Sequence, residues 1–169
     1  METSKLNAIL GSECTLASKF CGVYASDRLP LNCGSGTSAM VVNLDPHNKP
    51  GSHWVAIYIN NNVGEYFDSY GLPPLNPNIL NFLKTNCRLW LYNVKSIQNE
   101  TSRVCGHYCI WFLSQKAAGK SLAQIQGQFG ENTRTNDREV SRQIALRYRG
   151  VFPCTPAGGC QQCCMSRCQ

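Results

Sequence analysis

The sequence predicts an α+β fold, with a mixed, mostly antiparallel central sheet packed against a buried helix that carries a cysteine at its N-terminus. Three observations support this. The runs His53-Trp-Val-Ala-Ile-Tyr-Ile59 and Val63-Gly-Glu-Tyr-Phe-Asp68 are strand-like, and Asn60-Asn61-Asn62 joins them as in a hairpin. The run from Val104 to Leu113 is too continuously apolar for a surface helix and too long for most strands, so it reads as a buried helix. A chain of 169 residues that is 43% hydrophobic is one domain's length and has the material for a core.

The elements follow in order. Glu2 to Leu10 reads as a short helix with Leu6, Ile9 and Leu10 on one side, ended by Gly11-Ser12. Cys21 to Gly36 is rich in turn formers and reads as an irregular loop, a plain connection or a wall of a substrate groove. Ser38 to Leu44 reads as a strand, Asp45 to Gly51 as a turn, and the hairpin comes next. Leu72-Pro-Pro-Leu-Asn-Pro77 is a stiff linker. Pro77 suits the first turn of a helix to about Asn86, with Ile79, Leu80 and Leu83 inward. Arg88 to Lys95 alternates well enough for a further strand. Beyond the cysteine helix, Ser121 starts a short helix to about Gln128. Asn136-Asp-Arg-Glu139 resembles a capping box opening a last helix to about Tyr148. Residues 1–153 form one domain, and residues 154–169 a cysteine-rich tail.

Composition narrows the setting. No apolar run approaches the ~18 residues of a membrane span. The start, Met-Glu-Thr-Ser-Lys, lacks the pattern of a secretory leader, so an intracellular, reducing compartment is expected. Eleven cysteines is an odd number that cannot all pair within one molecule. Apolar runs sufficient for a core argue against a secreted disulfide scaffold. The formal charge of +6 is compatible with an anionic partner such as nucleic acid, or with simple solubility.

The chemistry-bearing residues converge on one stretch, Gln98 to Leu113. Cys105-Gly106 sits where this stretch turns from polar to apolar. A helix N-terminus carries partial positive charge and favours thiolate over thiol, so Cys105 is a candidate nucleophile. His53 opens one strand of the hairpin and Asp68 closes the other, so antiparallel pairing sets them side by side. A carboxylate on one ring nitrogen fixes the tautomer and leaves the other nitrogen for the sulfur. Gln98 can offer a side-chain N–H which, with the Cys105 backbone N–H, would form an oxyanion hole. Trp54 can wall the site. Each residue alone has an ordinary structural reading; their order and spacing favour the catalytic one.

His53-Trp54, Tyr66-Phe67-Asp68-Ser69-Tyr70-Gly71, and Gln98 seven residues before Cys105-Gly106 resemble the adenain family of adenovirus proteases and, more loosely, the SUMO-specific proteases. Asn43 and the segment Asp27-Arg28-Leu29-Pro30 extend the likeness, which covers roughly residues 5 to 118. Asp68 stands where adenain carries Glu, as in the SUMO proteases. The resemblance implies a thiol endopeptidase acting on viral or virus-like precursor proteins, with Cys105 as nucleophile, His53 as base, Asp68 as orienter and Gln98 as oxyanion donor. It also implies location in the host nucleus and virion. Its chemistry needs no metal or cofactor.

The resemblance makes Cys87 a candidate thiol for a disulfide to an activating peptide, with a buried free cysteine as the alternative. It also makes DNA a candidate cofactor. Arg134, Arg138 and Arg142, spaced four apart, and Arg149 form a basic stripe that is either a DNA track or a solvated helix face. The tail cysteines, Cys154, Cys160, Cys163, Cys164 and Cys168, fit an unstructured tail, oxidative cross-linking or metal binding. Two other functions stay open: a SUMO or ubiquitin-like isopeptidase, and an inactive binding module with a metal-binding tail.

Overall fold

The computed structural model describes residues 1–31 and 36–150. Ten elements form a five-stranded sheet with helices on both faces. Strand order follows the chain: β1 (Phe20–Ala25), β2 (Thr37–Asn43), β3 (Trp54–Asn60), β4 (Val63–Phe67) and β5 (Leu89–Tyr92). The central pairs β2–β3 and β3–β4 are antiparallel, whereas the outer pairs β1–β2 and β4–β5 are parallel. The sheet is therefore mixed, as expected, with its longer central ladder antiparallel and its parallel pairs at the edges. One reason is that the helix α2 (Pro77–Asn86) carries the chain back over the sheet between β4 and β5, a connection that makes neighbouring strands parallel.

Alternation along the strands builds two cores. Ala39, Val41, Ala56, Tyr58 and Phe67 face the helices α1 (Thr3–Gly11), α3 (Cys105–Ala117), α4 (Leu122–Gln126) and α5 (Thr133–Arg147). Met40, Val42, Val55, Ile57, Ile59 and Tyr66 face α2. Burial on both faces explains why these strands read as nearly unbroken apolar runs. The helix α3 lies deepest. Tyr108, Ile110, Phe112 and Leu113 are fully buried, and Phe112 stacks on Phe67 with centroids 4.6 Å apart.

Local chemistry sets several boundaries. Asn61 and Asn62 both have positive φ, 49° and 63°, and asparagine tolerates this two-residue turn better than most residues. Asn76 caps α2 by accepting from the Asn78 and Ile79 N–H groups, with Pro77 at its first position. The capping box is found at Ser121 and Gln124 of α4. The box expected at Asn136 is absent. The cap of α5 is Asn132, whose side chain accepts from the Thr135 N–H, so that helix starts four residues earlier than expected. Asn136 lies inside α5, buried and engaged elsewhere. The irregular loop expected from Cys21 is also corrected: its first part is β1, running beside β2. Residues 32–35, and the cysteine tail with its proposed boundary at 153, lie outside the described residues.

Candidate active site

The hairpin and α3 meet at one end of the sheet. His53 precedes β3 and Asp68 follows β4. The pairing of Ala56 with Phe67 carries these flanking residues to the same edge. His53 Nε2 lies 2.8 Å from Asp68 Oδ1 in a buried hydrogen bond, so Nδ1 is left for Cys105, the first residue of α3. Asp68 Oδ1 also accepts the Tyr70 N–H at 2.8 Å, and the Asp68 backbone is gripped by Asn93.

The electrostatics favour a charge-separated pair. Burial pulls the His53 imidazole down, but hydrogen bonds to Asp68 and Cys105 and the charges beside it outweigh burial and raise it to about 9. Burial pushes the Cys105 thiol up. The hydrogen bond to His53, the Trp54 and Gly106 N–H groups and the imidazolium charge more than offset this, leaving it below the ordinary cysteine value. His107, two residues on, cannot serve as a rival base of useful strength. Burial, then the charges of the amino terminus and Lys5, push it down to about 4.

A cleft of about 660 Å³ opens at this point. Its walls come from Met1–Thr3, Pro50–Ser52, Trp54, Tyr70 and Ser102–Arg103 around His53 and Cys105. The Cys21–Gly36 segment, considered as a groove wall, contributes no lining residue among those described. Instead the chain's first residues fold over the helix mouth. Trp54 Nε1 donates to the Met1 carbonyl at 3.0 Å, and Met1 lies against Gly106. The opposite rim hangs from Asn43, whose Oδ1 accepts the Asp45 and Ser52 N–H groups at 2.9 and 3.2 Å. Gly51 has φ +93°, and a Cβ there would come within 2.8 Å of Asn43 Nδ2, so only glycine fits comfortably.

Gln98 is buried close by, and its amide is already engaged. Oε1 accepts from the Ser69 hydroxyl at 2.6 Å, and Nε2 donates to the Tyr70 oxygen and the Ser102 carbonyl, each at 3.1 Å. The loop carrying it is held from α5. Asn136 Nδ2 donates to the Ile97 carbonyl at 3.1 Å, and the Asp137 carboxylate accepts the Asn99 N–H at 3.3 and 3.4 Å. The parts that Asn93, Tyr70, Asn136 and Asp137 play around the site were not read from the sequence, because each acts through contacts to residues distant in the chain.

The remaining candidates lie elsewhere. Cys87 is a free cysteine, 7% exposed, in the core beneath α2, and burial raises its thiol. That is the buried form of the two readings, unlike a thiol poised for disulfide exchange. Arg134, Arg138, Arg142 and Arg149 are all exposed, the first three one turn apart along α5. Arg142 is paired with Glu139 at 2.8 Å. Among the described residues, no cluster of three or more histidine, cysteine or acidic side chains is arranged to hold a metal ion. No helix there is long and apolar enough to cross a membrane.

No family model matches the sequence. Over 98 residues the chain is 32% identical to a protein of Acanthamoeba polyphaga mimivirus named "Putative thiol protease R355". That match covers 52% of this chain and 32% of the mimivirus protein, so the chain spans about a third of the relative's length. Among solved structures, the ASFV pS273R protease is similar with a TM-score of 0.47 and 20% identity, covering 62% of this chain and 43% of that one. ChlaDub1 from Chlamydia trachomatis is similar with a TM-score of 0.49 and 14% identity, covering 68% and 60%.

Proposed function

We propose that this chain is a cysteine peptidase that works through a thioester. One observation carries the proposal: the 2.8 Å bond from Asp68 to His53 Nε2 leaves the other ring nitrogen to Cys105, which is the order needed for nucleophile, base and orienter. In the first step the Cys105 sulfur bonds to a peptide carbonyl carbon, and the carbonyl electron pair moves to oxygen. On collapse the carbon–nitrogen bond breaks, and the amine leaves with the proton from His53. In the second step His53 takes a proton from water. The hydroxide displaces sulfur, and the thiolate returns with its electron pair. The mimivirus relative supports the thiol-protease class.

The substrate we infer is a precursor protein of a virus or virus-like element. The second reading is an isopeptidase for a ubiquitin-like protein, favoured by aspartate rather than glutamate at position 68. A peptidyl acyloxymethyl ketone, with the adduct mapped by mass spectrometry, tests the class. Modification at Cys105 should vanish in Cys105→Ala and fall sharply in His53→Ala. An unmodified Cys105 in the wild type would favour an inactive binding module. Cleavage of a ubiquitin-like protein fused through Gly-Gly, set against cleavage of a capsid precursor, separates the two substrates.

DNA is proposed as a cofactor along α5, supported by the exposed Arg134 and Arg138. Neutralising either should reduce the slope of log affinity against log salt by about 0.9. Arg142→Ala should change it less, since that guanidinium already holds Glu139. An activating peptide at Cys87 would have to open the packing around a buried thiol.

A further inference from the structure

The following rests on Cys105 being an acyl-accepting nucleophile. An oxyanion needs a donor with a proton to give, and in this structure both Gln98 Nε2 protons already have acceptors. The Ser102 carbonyl can only accept, so the amide atom facing it is nitrogen, which fixes the whole group: Oε1 toward Ser69, Nε2 toward Ser102 and Tyr70. Both Nε2 protons are used. The Tyr70 oxygen accepts one of them, and its own proton remains available for a further acceptor.

Tyr70 is placed to use that proton. It lines the cleft with His53 and Cys105. Its ring stacks on the imidazole, with centroids 4.8 Å apart and planes at 25°. Its backbone N–H donates to the same Asp68 oxygen that holds His53. The phenol is thus locked to the base, to the orienter and to Gln98 at once.

The geometry points to Tyr70 as a catalytic residue whose hydroxyl donates to the oxyanion formed when Cys105 attacks, with Gln98 as the positioning residue behind it. The hydrogen bond strengthens as the carbonyl pair moves onto oxygen and relaxes when that pair returns. No proton leaves the phenol. Burial, and then the negative charge of Cys105, hold Tyr70 above the ordinary tyrosine value, so it remains a donor through the neutral range. Without the hydroxyl, the oxyanion would lose a fixed donor.

Two small probes separate this role from simple support of the thiolate. p-Nitrophenyl acetate acylates Cys105 through an oxyanion, whereas iodoacetamide alkylates it by displacement at carbon, with no oxyanion. Tyr70→Phe keeps the ring and its stacking. It should slow acylation about tenfold or more while leaving alkylation within about twofold, and Tyr70→Phe/Gln98→Ala should be no slower than Tyr70→Phe alone. Thermal melts confirm that each variant is folded. Unchanged acylation in Tyr70→Phe with a loss in Gln98→Ala would return the donor role to Gln98. Equal slowing of both reactions would reduce Tyr70 to a support for the base. If wild type and His53→Ala are alkylated at the same rate, the thiol-hydrolase reading itself fails, whatever Tyr70 does.

Discussion

Asn93 holds Asp68 by both backbone groups. Its Oδ1 accepts the Asp68 N–H at 2.8 Å and its Nδ2 donates to the Asp68 carbonyl at 2.5 Å, with Asn93 fully buried. The carboxylate that holds His53 is thereby anchored to the loop after β5, although its strand ends one residue earlier. Asn93→Ala leaves two buried backbone groups without partners and should destabilise the fold by about 3 kcal/mol. A urea titration reads this directly. A loss below 1 kcal/mol would mean that water replaces the amide.

The pH dependence of Cys105 follows from two shifts of opposite sign. The thiolate forms as pH rises through the lowered value of Cys105. The imidazolium beside it is lost as pH rises through about 9. Alkylation by iodoacetamide should therefore set in below the ordinary thiol range and hold steady to about pH 9. Turnover, which in the proposed cycle needs the His53 proton for the leaving amine, should decline above about 9. In His53→Ala the onset should move up toward the ordinary thiol value of about 8.5. An onset that does not move would show that the imidazole has no hold on the sulfur.

Lys116 and Glu65 tie α3 to β4 through a 2.8 Å ion pair, and both side chains are largely buried. Glu65 Oε2 has no other protein partner. Lys116→Met strands a carboxylate against the sheet and should cost about 3 kcal/mol. The double variant Lys116→Met/Glu65→Met should recover most of that loss. Thermal unfolding of both variants checks the pair, and a double variant no better than the single would contradict it.

Gly64 on β4 supports Cys87 in the same steric sense. A Cβ at position 64 would stand 2.7 Å from the Cys87 sulfur and 3.2 Å from the Trp90 Cβ. Gly64→Ala should destabilise by about 1–3 kcal/mol. Adding Cys87→Ala should relieve part of it, because the sulfur is the nearest obstacle. If chemical denaturation finds the two substitutions additive, the close approach does not limit packing there.

Legibility in the sequence divides along physical lines. Elements fixed by their own termini were readable: Pro77 opens α2, and Asn60-Asn61-Asn62 joins the hairpin. The hairpin in turn made the closeness of His53 and Asp68 readable, since register alone brings them together. β1 escaped because it is half-buried at every position, leaving no alternation to see, and its glycine and flanking turn formers imitate a loop. The start of α5 was misjudged because Asn136 looks like a cap but serves as a tertiary clamp on Ile97. The cleft wall from Met1 depends on a contact to Trp54 across 53 residues, which no local pattern announces.

The grip of Asn136 and Asp137 on either side of Gln98 has a consequence for synthesis. His53, Asp68, Gln98 and Cys105 all precede α5 in the chain, and the ties from that helix to Ile97 and Asn99 form only when it docks. A chain still being made therefore holds all four side chains before the last ties on the Gln98 loop can form.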